Sequence, residues 1–184
     1  MALILPFEGK TPQIDPTAYI APNATLIGDV IVGPYANIWF GAVLRADWNA
    51  IRIGARTSVQ DNCVLHVNSD RATLLAEDVI VGHGAVLEGC TIAAKTLIGM
   101  GSIVLNASRL GEGTILGAGA LVKEGAEFPP GVLLAGVPAV HKRALTEADI
   151  ARIVEGVEHY QTVMARYANQ PSGDDAPPES WHNH

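Results

Sequence analysis

Aliphatic residues recur at every sixth position along most of this chain. Ile14, Ile20, Leu26, Val32, Ile38 and Leu44 form one run, and Ile53, Val59 and Leu65 a second. Leu75, Val81 and Leu87 form a third. After a five-residue step, Ile92, Ile98, Val104, Leu110, Leu116, Val122 and Phe128 complete the series. The position four further on is small in nearly every case, as at Ala24, Ala36, Ala42, Thr57, Cys63, Ala85, Thr96, Ser102, Ser108, Thr114 and Ala120. Two segments carry extra residues. Asp47, Trp48 and Asn49 fall between Leu44 and Ile53, and Asn68 to Arg71 fall between Leu65 and Leu75. Both read as loops on a rigid scaffold, where function tends to sit.

The pattern describes a coil with three flat sides, one hexad to a side. The aliphatic residue points inward, the small one fits near the tight corner, and Gly or Asn serves corners that need positive φ. Three hexads advance the chain by one strand spacing, about 4.8 Å. The fold class is therefore mainly β, a parallel β-helix of hexapeptide repeats over residues 1–138. Periodicity does not determine its hand. The repeat stops near Pro129-Pro130, and Gly136-Val-Pro138 turns the chain. Thr146 has the chemistry of an N-cap and Asp149 that of its capping-box partner. Ile150, Ile153, Val154, Val157, Tyr160, Val163, Met164 and Tyr167 then keep helical spacing. A helix from Glu147 to about Tyr167, within a C-terminal segment 139–169, is expected to pack on the coil. The tail 170–184 holds Pro, Ser, Gly and acidic residues and is expected to be flexible.

Composition narrows the function. The chain is 48% hydrophobic yet 5% aromatic, with 19 Gly and 11 Pro, which excludes a disordered chain and fits poorly with a helical bundle. A net charge of -7 without a basic patch makes nucleic acid an unexpected partner and disfavours anionic membranes. No basic leader or long apolar run points to export or membrane insertion. Cys63 and Cys90 do not form a disulfide framework and are expected in the core. A cytoplasmic, soluble setting is the expectation.

The repeat also decides which polar residues meet. With Leu65 on side A, Leu44 and Leu87 share that side, Ile53 and Leu75 fall on B, and Val59 and Val81 on C. Arg45, His66 and Glu88 therefore stack on successive coils of side A, with Asp47 just beyond Arg45. Gln60, Asp61 and His83 belong to side C. His66 and Glu88 lie side by side; His83 joins them only if an identical neighbour presses its side C against side A. Repeating that contact about a three-fold axis closes a homotrimer. Two histidines and a carboxylate suit zinc or another divalent first-row metal, and a position left for water makes such a site catalytic. The metal would supply hydroxide near neutral pH, with Gln60 as a hydrogen-bonding partner. Arg45, Asp47 and Asp61 are expected to form ion pairs that fix the interface, and Trp39 and Trp48 to bury interface area.

The segments Val43-Leu-Arg-Ala-Asp47, Ile51-Arg-Ile-Gly54, Val59-Gln-Asp61, Leu65-His66, Val81-Gly-His83 and Gly89-Cys-Thr-Ile92 resemble the γ-class carbonic anhydrase-like proteins. The likeness runs from about residue 10 to residue 145. It implies a left-handed β-helix, a homotrimer, and reversible hydration of carbon dioxide to bicarbonate at a zinc site between subunits, with iron or cobalt in some members. It matches Arg45 and Asp47 to the family's Arg–Asp pair, Gln60 and Asp61 to its Gln–Asp pair, and His66 and His83 to metal ligands. It matches Tyr160 to a tyrosine on the C-terminal helix. Glu88 stands where the family has its third histidine, and Trp48 follows Asp47 where some members place an acidic residue for proton transfer. A carboxylate ligand makes the metal a weaker Lewis acid, so weakened activity is expected. Two other readings are an acyltransferase acting on a small molecule, with His83 or His66 as base, and a catalytically silent metal-binding trimer.

Overall fold

The computed structural model describes residues 1–169 as a three-sided coil of parallel strands, about seven turns long, followed by one helix. The tail 170–184, with its expected flexibility, lies outside the described residues. Side A is laddered through Leu3–Leu5, Thr25, Val43, Val64–His66, Val86–Glu88, Ile103–Val104 and Leu121–Val122. Side C runs from Tyr19–Ile20 through Ser58–Val59 and Ile80–Val81 to Val132–Ala135. The inward aliphatics do form the core: Leu26, Ile38, Leu44, Val59, Leu65, Val81, Leu87, Ile98 and Leu116 are all fully buried. Each such side chain contributes about 1.5–3 kcal/mol by leaving water. Cys63 and Cys90 are likewise core residues, and burial pushes their thiols up to about 11 and about 12.

Three features differ from the sequence reading. The first extra segment is a bulge within a strand rather than a separate loop. Asp47, Trp48 and Asn49 lie within one strand, Val43–Ile53, that runs without a break from side A to side B. It pairs in parallel with Thr25–Val32, itself continuous across the same corner. Ala46 and Ile51 both point into the core although they lie five positions apart, so the residues between bulge outward and alternation changes phase there. Second, the coil continues past Pro129-Pro130, because Leu134 is fully buried on side C. Third, the start of the segment 139–169 is not helical. Val140–Ala144 folds back as an antiparallel strand on Val132–Ala135 and forms the outer edge of side C.

Helix α1, Glu147–Ala168, follows. Thr146 caps it: its hydroxyl accepts from the Asp149 N–H at 3.2 Å, and the Asp149 carboxylate accepts from the Thr146 N–H at 2.8 Å. The Asp149 carboxyl is held well below its ordinary range, first by Arg143 and then by Thr146. Ile153 and Val157 are buried. Gly156 lets the helix approach side C, because a Cβ there would lie 2.7 Å from Ile80 Cδ1. The helix thus lies along side C and reaches the level of His83.

Candidate functional site

Side A brings three of the expected residues into one row. Arg45 pairs with His66, and His66 with Glu88, across adjacent parallel strands. Asp47 joins the row by forming an ion pair with Arg45 and accepting from His66 Nε2 at 3.1 Å. Burial alone would raise the Asp47 carboxyl, but hydrogen bonds from His66, the backbone and Arg45 outweigh it and hold it below the ordinary carboxylate range. Trp48 stands over this group with its ring centroid 6.2 Å from that of His66. Thr73, which sequence reasoning passed over, is fully buried beneath the row. Its hydroxyl donates to the His66 carbonyl and accepts from the Gly89 N–H at 2.8 Å, so it ties the strands of His66 and Glu88 together. Nothing in the hexad pattern distinguishes this threonine from the small corner residues around it.

Side C holds the other group. His83 Nδ1 lies 2.7 Å from Asp61 Oδ2, and the second Asp61 oxygen accepts from the Phe40 N–H at 3.1 Å. Gln60 spends its side-chain oxygen on the His83 N–H at 3.1 Å. The imidazole is therefore fixed through Nδ1, and Nε2 is left directed outward, 3.5 Å from the Tyr160 hydroxyl on α1. Burial pushes the Tyr160 phenol up, and the negative charge of Asp61 adds to the effect. Tyr160 stacks edge-on against Trp39 at 5.7 Å. Trp39 donates to Asn37 at 2.6 Å and lies 3.1 Å from the Ser58 hydroxyl.

Within one chain Asp61 is bonded to His83, while Arg45 lies on another side and is taken by Asp47. One expectation is corrected. Trp39 is not available to a subunit interface; at 4% exposure it is packed among Tyr19, Phe40, Tyr160 and Tyr167 under α1. Trp48, by contrast, is 66% exposed. Among the described residues of one chain, no three His, Cys, Asp or Glu side chains converge to hold a metal. His66 and Glu88 are neighbours, whereas His83 faces away from them on side C.

Outside the polar rows the two sides are complementary in kind. Val64, Val86 and Ile103 form an exposed aliphatic stripe on side A. On side C a cavity of about 420 Å³ opens beside His83, Gln60 and Tyr160 and is lined by Leu97, Ile115 and Leu133.

No protein-family model matches the chain. A carbonic anhydrase of Geobacillus kaustophilus is 47% identical over 148 residues, covering 80% of this chain and 81% of that protein. The chain belongs to the γ-carbonic anhydrase-like family. The mitochondrial gamma carbonic anhydrase 1 of Arabidopsis thaliana is 37% identical over 165 residues, 86% of this chain; the chain spans 60% of that protein's length. The carnitine operon protein CaiE of Citrobacter koseri is 41% identical over 162 residues, 87% of this chain and 81% of that protein. Among solved structures, a Bacillus cereus protein described as a candidate acetyltransferase superposes with a TM-score of 0.89 at 41% identity, covering 90% of this chain and 96% of that one. The family's fold, the left-handed β-helix of hexapeptide repeats, is the fold of this chain. No helix among the described residues is long and apolar enough to cross a membrane.

Proposed function

We propose that the protein is a metal-dependent carbonic anhydrase-like enzyme that hydrates carbon dioxide reversibly, in a homotrimer whose sites each draw on two copies. In this reading His66 and Glu88 of one copy and His83 of the next hold the metal. The observation that carries it is the pair of prepared donor groups: His66 and Glu88 in register on side A, and His83 on side C with Nε2 left open by Asp61. The aliphatic stripe of side A and the apolar cavity of side C favour the packing of one against the other. Two imidazoles and a carboxylate fit zinc, and also iron or cobalt.

When bound, such a metal acts as a Lewis acid that brings the acidity of water near neutrality. The chain's own residues do the rest. Asp61 orients His83, Asp47 orients His66, and Thr73 fixes the spacing between the strands of His66 and Glu88. Gln60 keeps its amide N–H groups free to donate to a substrate oxygen, since its carbonyl oxygen is already engaged. Tyr160 closes the side of the site nearest α1. Glu88 adds a negative charge that a histidine lacks, so the metal is a weaker Lewis acid and the hydratase rate falls below that of a three-histidine site.

The test is the metal content of the purified oligomer together with stopped-flow hydration of carbon dioxide by the wild type and by Glu88→His. About one metal per chain and a faster Glu88→His variant are expected. A metal-free protein with no gain in that variant would overturn the reading. The cavity beside His83 favours a second reading, acyl transfer with His83 as base. Protection by acetyl-coenzyme A in a thermal shift assay would favour it.

A further inference from the structure

Beside the proposed metal site, and sharing Asp47 with it, side A carries two aromatic residues that the hydratase reading does not use. A cavity of about 420 Å³ opens to solvent beside the Asp47–His66 pair and is lined by Phe7, Glu8, Asp47, Trp48 and Ser69. Two aromatic rings and two carboxylates share it. Both rings are exposed, Trp48 at 66% and Phe7 at 39%, so neither is explained by burial within the chain.

The wall around them is anchored on both flanks. Trp48 projects from the outward bulge Asp47–Ala50 of Val43–Ile53, whose two ends, Val43–Ala46 and Ile51–Ile53, are paired with neighbouring strands. Phe7 sits at the base of a tight turn closed by reciprocal backbone bonds with Lys10, at 2.9 and 3.0 Å. That turn is tied down by Lys10, 2.9 Å from Asp29, which in turn pairs with Arg52. Gly28 lets the turn approach the long strand, since a Cβ there would lie 2.2 Å from the Ala46 carbonyl oxygen and 3.5 Å from Phe7 Cβ.

Glu8 is the unusual member. It occupies the first of the two positive-φ positions of the turn, at 46°, followed by Gly9 at 77°. Asn, Asp or Gly adopts that conformation at lower cost than Glu, by about 1 kcal/mol. The strained residue nevertheless puts a carboxylate at the mouth of an aromatic pocket. Arg45 offsets Asp47, so Glu8 leaves the pocket with a net negative charge.

We propose that this cavity binds a small organic cation, an ammonium head with apolar substituents, held over the Trp48 ring and opposite Phe7 with Glu8 as counter-ion. Cation–π attraction suits a poorly hydrated ammonium better than a metal ion. The carboxylate, rather than a second cation, sets the sign of the ligand. The cation is recognised by Trp48, Phe7 and Glu8, none of which the hydratase reading uses.

The test uses the full-length protein and choline as the probe, with binding followed by broadening of the choline methyl resonance. Saturable binding is expected. The uncharged isostere 3,3-dimethyl-1-butanol should bind about tenfold more weakly. Trp48→Ala should weaken choline by about tenfold, Trp48→Phe by much less, and Glu8→Gln by about threefold. Equal binding of choline and its isostere, or an unchanged Trp48→Ala variant, would overturn the proposal. So would absence of saturation, including the case in which Trp48→Ala breaks the oligomer and marks the ring as a contact between copies.

Discussion

At the scale of single residues, the site is organised by side chains that fix other side chains. Asp61 holds one imidazole and Asp47 another, and both carboxylates belong to motifs visible in the sequence. Thr73 is different. It has no charge and no motif, yet its hydroxyl satisfies the His66 carbonyl and the Gly89 N–H at once. Thr73→Val keeps the shape but leaves the His66 carbonyl and the Gly89 N–H only their long mutual bond of 3.3 Å, at a cost of about 1 kcal/mol in urea denaturation. The same variant should lower metal retention in dialysis, because the strands carrying His66 and Glu88 lose their tie. A wild-type midpoint and unchanged retention would show that Thr73 is only filler.

At the scale of elements, the hexads were legible because each carries a single inward aliphatic with a small neighbour, and the coil has no other way to bury them. The register followed from counting, which is why Arg45, His66 and Glu88 could be placed in one row from sequence. The strand Val43–Ile53 was not legible. Its polar triplet Asp47-Trp48-Asn49 looks like a loop, and only the pairing of its two flanks with Thr25–Val32 shows that it is a bulge within one strand. The burial of Trp39 was equally hidden, since it depends on where α1 comes to rest. The cap of that helix could be read directly. Thr146→Ala should cost about 1 kcal/mol and fray the first turn, as seen by amide exchange. Acid should have little effect on the cap until strongly acidic pH. The depressed Asp149 carboxyl contributes stability that is complete above the ordinary carboxylate range and lost only as pH falls through its lowered value. Helicity followed by circular dichroism should therefore hold at pH 4.

At the scale of the whole molecule, the chain's two aspects are unequal. Side C is covered in part by its own helix, against Asn37–Ile38 and Ile80–Val81, whereas side A presents Val64, Val86 and Ile103 to solvent beside its polar row. Val86→Glu places a charge in the middle of that stripe without disturbing Leu87, which points inward. If side A is the contact surface of the proposed trimer, light scattering should show a shift toward monomer, with circular dichroism unchanged. A trimer that survives the substitution would mean that side A is not the contact surface.

The reversed strand Val140–Ala144 has a consequence for how the molecule ends. A parallel coil is a stack of identical steps, and its last rung offers unpaired backbone to any further strand, including one from another molecule. Here the chain uses its own backbone, turned antiparallel, to occupy the edge of side C. The new edge carries the exposed polar side chains of His141, Lys142 and Arg143, which disfavour addition of a further strand. At side C the chain's own backbone thus stands where a strand of a second molecule would add, which disfavours end-to-end growth along that side.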